Sequence, residues 1–304
     1  MSEKTREKKA KRGPDFLIIG PQRSGTSWLN RNLSYHPQVW PTPIKELHYF
    51  NAGMISSNEH LYRYSRHIKF RAYKILTQIL KADKTLFGDL KWDLHYFLGK
   101  RNDDWYVNLF RPIPGQVAGE ATPSYAILGI DEIKKIKRIN PQIKLIYLMR
   151  NPMERSWSSV TKFLAKKKKR ILAEIPDEEI YQKLNSSEVT IRSNHIQSLE
   201  NWESQFGNNQ LTIEFFEEIV INPTELIIRI FKFLEITESD EFISSSIKEK
   251  VNSSGKYKSP IPPRFQIHLG RQYIDQLHML SSRFGGATTT WLQSAESILA
   301  NRIG

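Results

Sequence analysis

The stretch FLIIGPQRSGTSWLNRNL, residues 16–33, decides the fold. Phe16 to Ile19 form an unbroken apolar run closed by Gly20, as expected of a strand buried on both faces of a parallel sheet. Gly20 and Gly25 then bracket four residues, and Trp28, Leu29 and Leu33 recur at helical spacing. Strand, tight glycine loop and helix together aim backbone N–H groups and a helix N-terminus at one point, which makes an anion site. The spacing is that of a phosphate-binding P-loop, with one change. Thr26 stands where such a loop carries the lysine that reaches a γ-phosphate, and Arg23 lies inside the loop instead. The cradle is kept and the γ-phosphate contact is not. That pattern fits a nucleotide lacking a γ-phosphate, with Arg23 moved forward to meet the group being transferred.

A second junction of the same kind lies further along. KLIYLM (144–149) is another apolar strand, and Arg150 ends it where open α/β sheets bind ligands. Asn151 is a plausible N-cap, Pro152 takes the first helical position and Glu154 the third. Ser158 lies eight residues beyond Arg150, about two helical turns along the same helix. Taken alone, Arg150 could equally pair with a carboxylate and Ser158 be an ordinary helix serine. Two anion sites on one sheet imply a cofactor with phosphates at both ends of a nucleoside.

The rest of the chain fills in the same plan. QVAGE (116–120) and QLTIEFF (210–216) are further strand candidates, and Asn222-Pro223 opens the helix TELIIRIFKFL by the same capping logic. Helical patterns cover DEIKKIKRI (131–139), SNHIQSLENWESQF (193–206) and most of 265–302, with a break near Gly285-Gly286. Buried strands alternating with helices predict a three-layer α/β domain with a central parallel sheet. Residues 1–14 read as a disordered basic arm and 15–304 as one domain. VNSSGKYKSPIPPR (251–264) is the most loop-like internal stretch.

Composition narrows the chemistry. The 304 residues include no cysteine, which excludes a disulfide framework, a thiolate nucleophile and a cysteine metal site. The eight histidines lack metal-binding spacing, so a metal enzyme is disfavoured. No stretch reaches the ~18 apolar residues of a membrane span. The N-terminus also lacks the apolar centre of a signal peptide, so the expectation is a soluble, cytoplasmic protein. A formal charge of +13 favours anionic partners. The basic runs EKTREKKAKR at the start and AKKKKR (165–170) read as solvated surface, the alternatives being a track for a polyanionic substrate or a nucleic-acid contact.

With both junctions in view, the sequence resembles the sulfotransferases that use 3′-phosphoadenosine 5′-phosphosulfate (PAPS). PQRSGTSWL is similar to their 5′-phosphosulfate loop, and LMRNPMERSWSS, about 125 residues later, to their 3′-phosphate motif. The likeness covers roughly residues 15–285 and implies a P-loop nucleoside-kinase-like fold with no metal. It implies that Arg23, Ser24, Gly25, Thr26 and Ser27 hold the 5′ end and that Trp28 stacks on adenine. Arg150 and Ser158, with Lys256 as a further candidate, would hold the 3′-phosphate. Arg23 departs from the lysine common in cytosolic members. A guanidinium bridges sulfonate and leaving phosphate but does not give up its proton, so Arg23 is expected to stabilise charge.

The acceptor side rests on the same resemblance. TPIKELHYFN (42–51) is similar to a segment of glycan sulfotransferases whose glutamate is the catalytic base. Carried over, Glu46 takes the proton from an acceptor hydroxyl or amine, with His48 and Lys45 beside it. The acceptor implied is a carbohydrate or hydroxylated small molecule. GEATPSYA (119–126) resembles an element lining the acceptor cleft, which leaves Glu120 as an alternative base. Ala121 and Asn51 depart from the heparan-type pattern, which has lysine and aspartate there. His195 stands where the family usually has tyrosine, and reads as structural.

Two other classes remain in view. A P-loop kinase needs a lysine at position 26 and a magnesium-holding aspartate at a strand end, and neither is apparent. A non-catalytic polyanion or nucleic-acid binder accounts for the charge of +13, but it has no need of two ordered anion motifs, so nucleic acid is disfavoured as a partner. Oligomeric state is left open.

Overall fold

Five parallel strands form one sheet: β1 (Phe16–Ile18), β2 (Val39–Pro41), β3 (Val117–Ala121), β4 (Lys144–Met149) and β5 (Leu211–Phe215). Their order is β2-β3-β1-β4-β5, and Ile18 at the centre pairs with Ala121 on one side and Ile146 on the other. The computed structural model describes residues 13–54, 57–80, 86–168, 174–249 and 260–300. The expected basic arm falls almost wholly outside these residues, as does most of the loop at 251–264.

The alternation of side chains along the strands builds two cores. Leu145, Tyr147 and Met149 of β4 enter one hydrophobic cluster, whereas Ile146 and Leu148 enter the other. Leu17 and Ile18 of β1 divide in the same way. Each face therefore needs a helical cover, and the near-continuous apolar strands are the sequence record of that requirement.

Helices α1 (Thr26–Leu33), α2 (Ser57–Leu80), α3 (Leu86–Leu98), α4 (Asp103–Val107) and α5 (Ile130–Ile139) lie between β1 and β4. After β4 come α6 (Pro152–Lys168), α7 (Asp177–Leu184), α8 (Ser187–Ser193) and α9 (His195–Glu203). Beyond β5 the chain continues as α10 (Glu218–Ile221), α11 (Pro223–Leu234), α12 (Pro263–Phe284) and α13 (Gly286–Ala300). Leu29 and Leu33 of α1 and Leu226 and Ile230 of α11 cover one face of the sheet. Ile133 of α5, Val160 of α6, Leu199 of α9, Leu269 of α12 and Trp291 of α13 cover the other. Each such fully buried aliphatic side chain contributes about 1.5–3 kcal/mol. The result is the expected three-layer α/β domain.

Sequence reading and structure differ in detail. The single helix expected over 193–206 is broken at Asn194, whose side chain accepts a hydrogen bond from the Gln197 N–H and starts α9 afresh. The break in the last helical region falls where expected, at Gly285, with φ of 63°. β2, α2 and α3 had no counterpart in the sequence reading. No described helix is long and apolar enough to cross a membrane.

One topological feature sets the stage for chemistry. The chain leaves β1 toward β2 on one side of the sheet and leaves β4 toward β5 on the other. The carboxyl ends of β1 and β4, side by side, therefore flank the point where strand order reverses, the usual ligand crevice of open α/β sheets.

Candidate active site

The loop after β1 is shaped by close approach. A Cβ on Gly20 would lie 2.5 Å from the backbone nitrogen of Leu148, so β4 passes too near for any side chain there. Gly25 has φ of 94°, and a Cβ there would strike Ile219. It opens α1 without a side-chain cap, so the N-cap itself leaves the N–H groups of the first turn open to another acceptor. Ser24 is fully buried, and its hydroxyl has no hydrogen-bond partner among the described residues. Between them Arg23 takes φ of 79°, a left-handed backbone costly for a side-chain-bearing residue.

That strained turn carries Arg23 toward α6, where its Nε donates to Ser158 Oγ at 2.9 Å. Arg150, at the end of β4, donates from Nη1 to the Arg23 carbonyl at 3.0 Å. Its guanidinium also lies 4.4 Å from the centre of the Phe216 ring and pairs with Glu154 at 3.1 Å. Glu154 thus serves Arg150, while Asn151 Oδ1 caps the helix by accepting from the Met153 N–H. Arg23, Arg150 and Ser158 meet at the crevice although 127 and 135 residues separate the bonded pairs. Burial lowers the pKa of both arginines, and the Arg150 charge lowers that of Arg23 further. The crevice is a place of crowded positive charge.

Behind it stand two buried braces. Arg155 is fully enclosed, donating to Ser193 Oγ at 2.5 Å, the Val189 carbonyl at 2.7 Å and the Gln22 carbonyl at 3.4 Å. All three acceptors are neutral, and burial pushes the guanidinium down to about 10, so it stays a cation at neutral pH. His195 bridges the Tyr147 hydroxyl, 2.9 Å from Nδ1, and the Arg150 carbonyl, 2.8 Å from Nε2. Burial lowers its pKa to about 3. The neutral ring therefore donates from Nε2 to Arg150 and accepts from the tyrosine at Nδ1.

The acceptor-side loop is built on different principles. Glu46 and His48 have φ of 65° and 54°, so three of the four non-glycine residues with positive φ among those described sit at this crevice. Lys45 Nζ donates to Ser27 Oγ at 2.9 Å and lies 3.4 Å from Glu46, which ties the loop to the start of α1. Burial lowers the lysine pKa, an effect that Glu46 opposes. His48 Nε2 lies 3.2 Å from Glu46 Oε2, and Nδ1 lies 3.0 Å from Asn51 Oδ1.

Glu120 holds this loop from behind. Fully buried on β3, it accepts from the Leu47 N–H at 3.2 Å and from the hydroxyls of Tyr106, Thr122 and Tyr125 at 2.6, 2.7 and 3.1 Å. Desolvation raises its pKa in spite of these four donors. Tyr125 in turn accepts the Tyr49 N–H at 2.9 Å. A saturated, enclosed carboxyl organises the loop and has no free side for an acceptor.

The remaining predicted residues fall as follows. Thr26 is buried at the first position of α1. Trp28 is 4% exposed within the α1–α11 core, and its indole N–H donates to the Ile247 carbonyl at 2.8 Å. Lys256 lies outside the described residues. Arg155 went unnoticed in the sequence for a geometric reason. At 3.6 residues per turn it falls opposite Met153, Trp157, Val160 and Leu164 on α6, where periodicity alone predicts solvent. The packing of α8 against α6 covers it.

Comparisons with known proteins give the family and the fold. A family model described as "Sulfotransferase family" matches residues 14–240. Over 253 residues the chain is 24% identical to the human bifunctional heparan sulfate N-deacetylase/N-sulfotransferase 2, which covers 77% of this chain and 23% of that protein. It is 26% identical over 145 residues to the membrane-associated sulfotransferase kil1 of Dictyostelium discoideum, 48% of this chain and 22% of that one. The chain thus spans under a quarter of the length of each of these relatives. Among solved structures, a sulfotransferase from Alicyclobacillus acidocaldarius superposes with a TM-score of 0.59 at 19% identity, covering 91% of this chain and 98% of its own. The sulfotransferase domain from the curacin biosynthetic pathway gives 0.51 at 15% identity, covering 86% and 98%. At such identities the likeness is one of fold.

Proposed function

Since the chain belongs to the sulfotransferase family, we propose that it moves a sulfuryl group from PAPS to a hydroxyl or amine of a carbohydrate or hydroxylated small molecule. Residues 15–304 would form the one domain that does so. The observation that carries this reading is the meeting of Arg23, Arg150 and Ser158 at the crevice between β1 and β4.

The residues present fit a nucleotide that is anionic at both ends. An uncapped helix start, a buried serine hydroxyl without a partner and crowded guanidinium groups are each stabilised by ligand negative charge. The first-turn amides of α1 with Ser24, Thr26 and Ser27 would hold the 5′ end, and Arg150 with Ser158 the 3′-phosphate. Lys256 would add a further cation. Stacking of adenine on Trp28 requires the segment carrying Ile247 to move aside, since that segment now roofs the indole.

When bound, PAPS supplies the sulfuryl group and leaves as 3′-phosphoadenosine 5′-phosphate. Sulfuryl transfer resembles phosphoryl transfer, so fixed cations and one positioned base carry most of the catalysis. Arg23 is such a cation: its backbone is locked by the strained loop and its side chain by Ser158. It keeps its proton and stabilises charge on the oxygens around the transferred group. Glu46 takes the acceptor proton. Its neighbours Lys45 and His48 hold the carboxylate from two sides and fix its direction. Glu120, saturated and enclosed, supports the loop and leaves the proton to Glu46.

A carbohydrate or similar polyhydroxylated acceptor is supported by the likeness of residues 42–51 to glycan sulfotransferases and by the heparan sulfate named in one relative. Calorimetric titration with 3′-phosphoadenosine 5′-phosphate, AMP and ATP tests the donor assignment. The bisphosphate is expected to bind about 100-fold more tightly than AMP, the worth of one or two charge-assisted contacts. A preference for ATP that depends on magnesium would sink the reading. So would affinity without nucleotide selectivity that collapses with salt. Transfer of labelled sulfate across panels of glycans, phenols and amines then identifies the acceptor class.

A further inference from the structure

Helix α2 has its amphipathic character reversed, while α3 sends Trp92 and Tyr96 into the core. Between them lies a polar seam: Arg71 is buried, its Nε 2.5 Å from Asp93 and its Nη2 3.3 Å from Asp89. Lys74 pairs with Asp89 at 2.9 Å, and Gln78 donates to the same carboxylate at 2.6 Å. The outer side of α2 is apolar. Tyr62, Tyr73, Leu76 and Leu80 are 57, 69, 55 and 77% exposed. With Arg66 and Lys69 they fall at positions 62, 66, 69, 73, 76 and 80, a single line down the helix opposite the buried Arg71 and Gln78. On α3 the exposed residues Lys91, Leu94 and Leu98 repeat the mixture.

A surface helix of a water-soluble protein turns its apolar stripe inward, and a contiguous exposed apolar stripe marks a surface that something covers. Charge identifies the covering. Among the described side chains of α2 and α3, both acids, Asp89 and Asp93, face the seam, and the exposed charges Arg66, Lys69 and Lys91 are all positive. A second copy in parallel would set Arg66 and Lys69 against their own equivalents in the middle of the stripe. In a lipid surface the same two side chains extend to headgroup phosphates while tyrosines and leucines enter the acyl boundary.

We propose that the outer face of α2 and α3 docks on an anionic lipid surface. The contact is peripheral and lies in the plane of the membrane. Because α2 begins at Ser57, shortly after the loop that carries Glu46 and His48, docking holds the acceptor side of the crevice near headgroup level.

Flotation of the full chain with phosphatidylcholine vesicles, with and without about one-third phosphatidylserine, tests this. Binding is expected with the anionic vesicles alone and is expected to weaken with salt. The double variant Tyr73→Glu/Leu76→Glu should lose at least ~10-fold in bound fraction. Arg66→Glu/Lys69→Glu should abolish the preference for anionic lipid. Both pairs are exposed, and unchanged circular dichroism and bisphosphate affinity show that the variants are folded. The donor titration above reads a different site, so the two proposals fail separately. Three results overturn docking. The first is no flotation of the wild-type chain. The second is equal flotation of the Tyr73/Leu76 variant, which assigns binding to other basic segments. The third is a wild-type dimer in sedimentation that Leu76→Glu dissolves without lipid, which assigns the stripe to a second copy.

Discussion

The donor half of the crevice and the acceptor half are held in opposite ways. On the donor half, Arg23 and Arg150 follow strand ends, and Arg155 and His195 brace them from within the fold. The acceptor half is a loop with two left-handed side-chain-bearing residues, kept in place by one buried carboxyl on β3. The sheet fixes the strand end at Arg150, whereas the loop that carries Arg23 at φ of 79° has its Gln22 carbonyl held by Arg155. A loop at positive φ stays so only if its surroundings over-determine it, which is what the Glu120–Tyr106–Tyr125 cluster does. The two halves touch through Lys45 and Ser27. The proposed binding and proton-transfer roles therefore fall on separately held parts of the crevice.

Glu46→Gln separates the halves most sharply. Removing a general base is expected to lower turnover by about 10²–10⁴, with affinity for 3′-phosphoadenosine 5′-phosphate unchanged. A parallel fall in that affinity would mean the division is false. Arg23→Ala comes next, on the border between donor binding and transfer. Loss of a preorganised charge-stabilising group should reduce kcat by about 10²–10³, more than it weakens the bisphosphate. An equal loss in both would move Arg23 wholly to the binding side.

Arg150→Ala should weaken the bisphosphate by roughly 10–100-fold, the worth of a charged hydrogen bond, and leave the affinity for AMP nearly unchanged. Retained preference for the bisphosphate over AMP would remove Arg150 from the 3′ site. The smallest effects lie in the braces and are read as stability against pH. His195 falls from its ordinary 6.5 to about 3 in the folded chain, so below pH 6.5 the unfolded chain takes up a proton that the folded one refuses. Stability should be greatest above pH 6.5 and decline as pH falls toward 3, and His195→Gln should flatten that decline in urea titrations. Glu120 acts in the other sense. With its pKa raised above the ordinary 4.5, it contributes stability at low pH that is lost as pH rises through the folded value. Glu120→Gln should remove that slope.

Much of the donor half was legible in the sequence. Gly20 and Gly25, the apolar runs before them and before Arg150, and the Asn151-Pro152 cap are local signals whose cause lies within a few residues. The acceptor half was legible only through resemblance. Nothing in KELH by itself announces two left-handed residues or a supporting glutamate 73 residues away. Glu120 read as a possible base because a sequence shows a carboxyl and not its saturation by four donors. Arg155 drew no notice because its cover comes from α8, a distant segment. The outward apolar stripe of α2 had no sequence reading at all, since helical periodicity is the same whichever side turns inward.

Composition and order along the chain determined the layers, the parallel sheet and the two strand–helix junctions that carry Arg23 and Arg150. These depend on backbone geometry and on apolar periodicity, which neighbouring residues set among themselves. Tertiary structure alone decided which charges are buried, which carboxyl is enclosed by four donors and which side of α2 meets the outside. Those depend on desolvation and on partners brought in from distant segments, and no local pattern of residues encodes either.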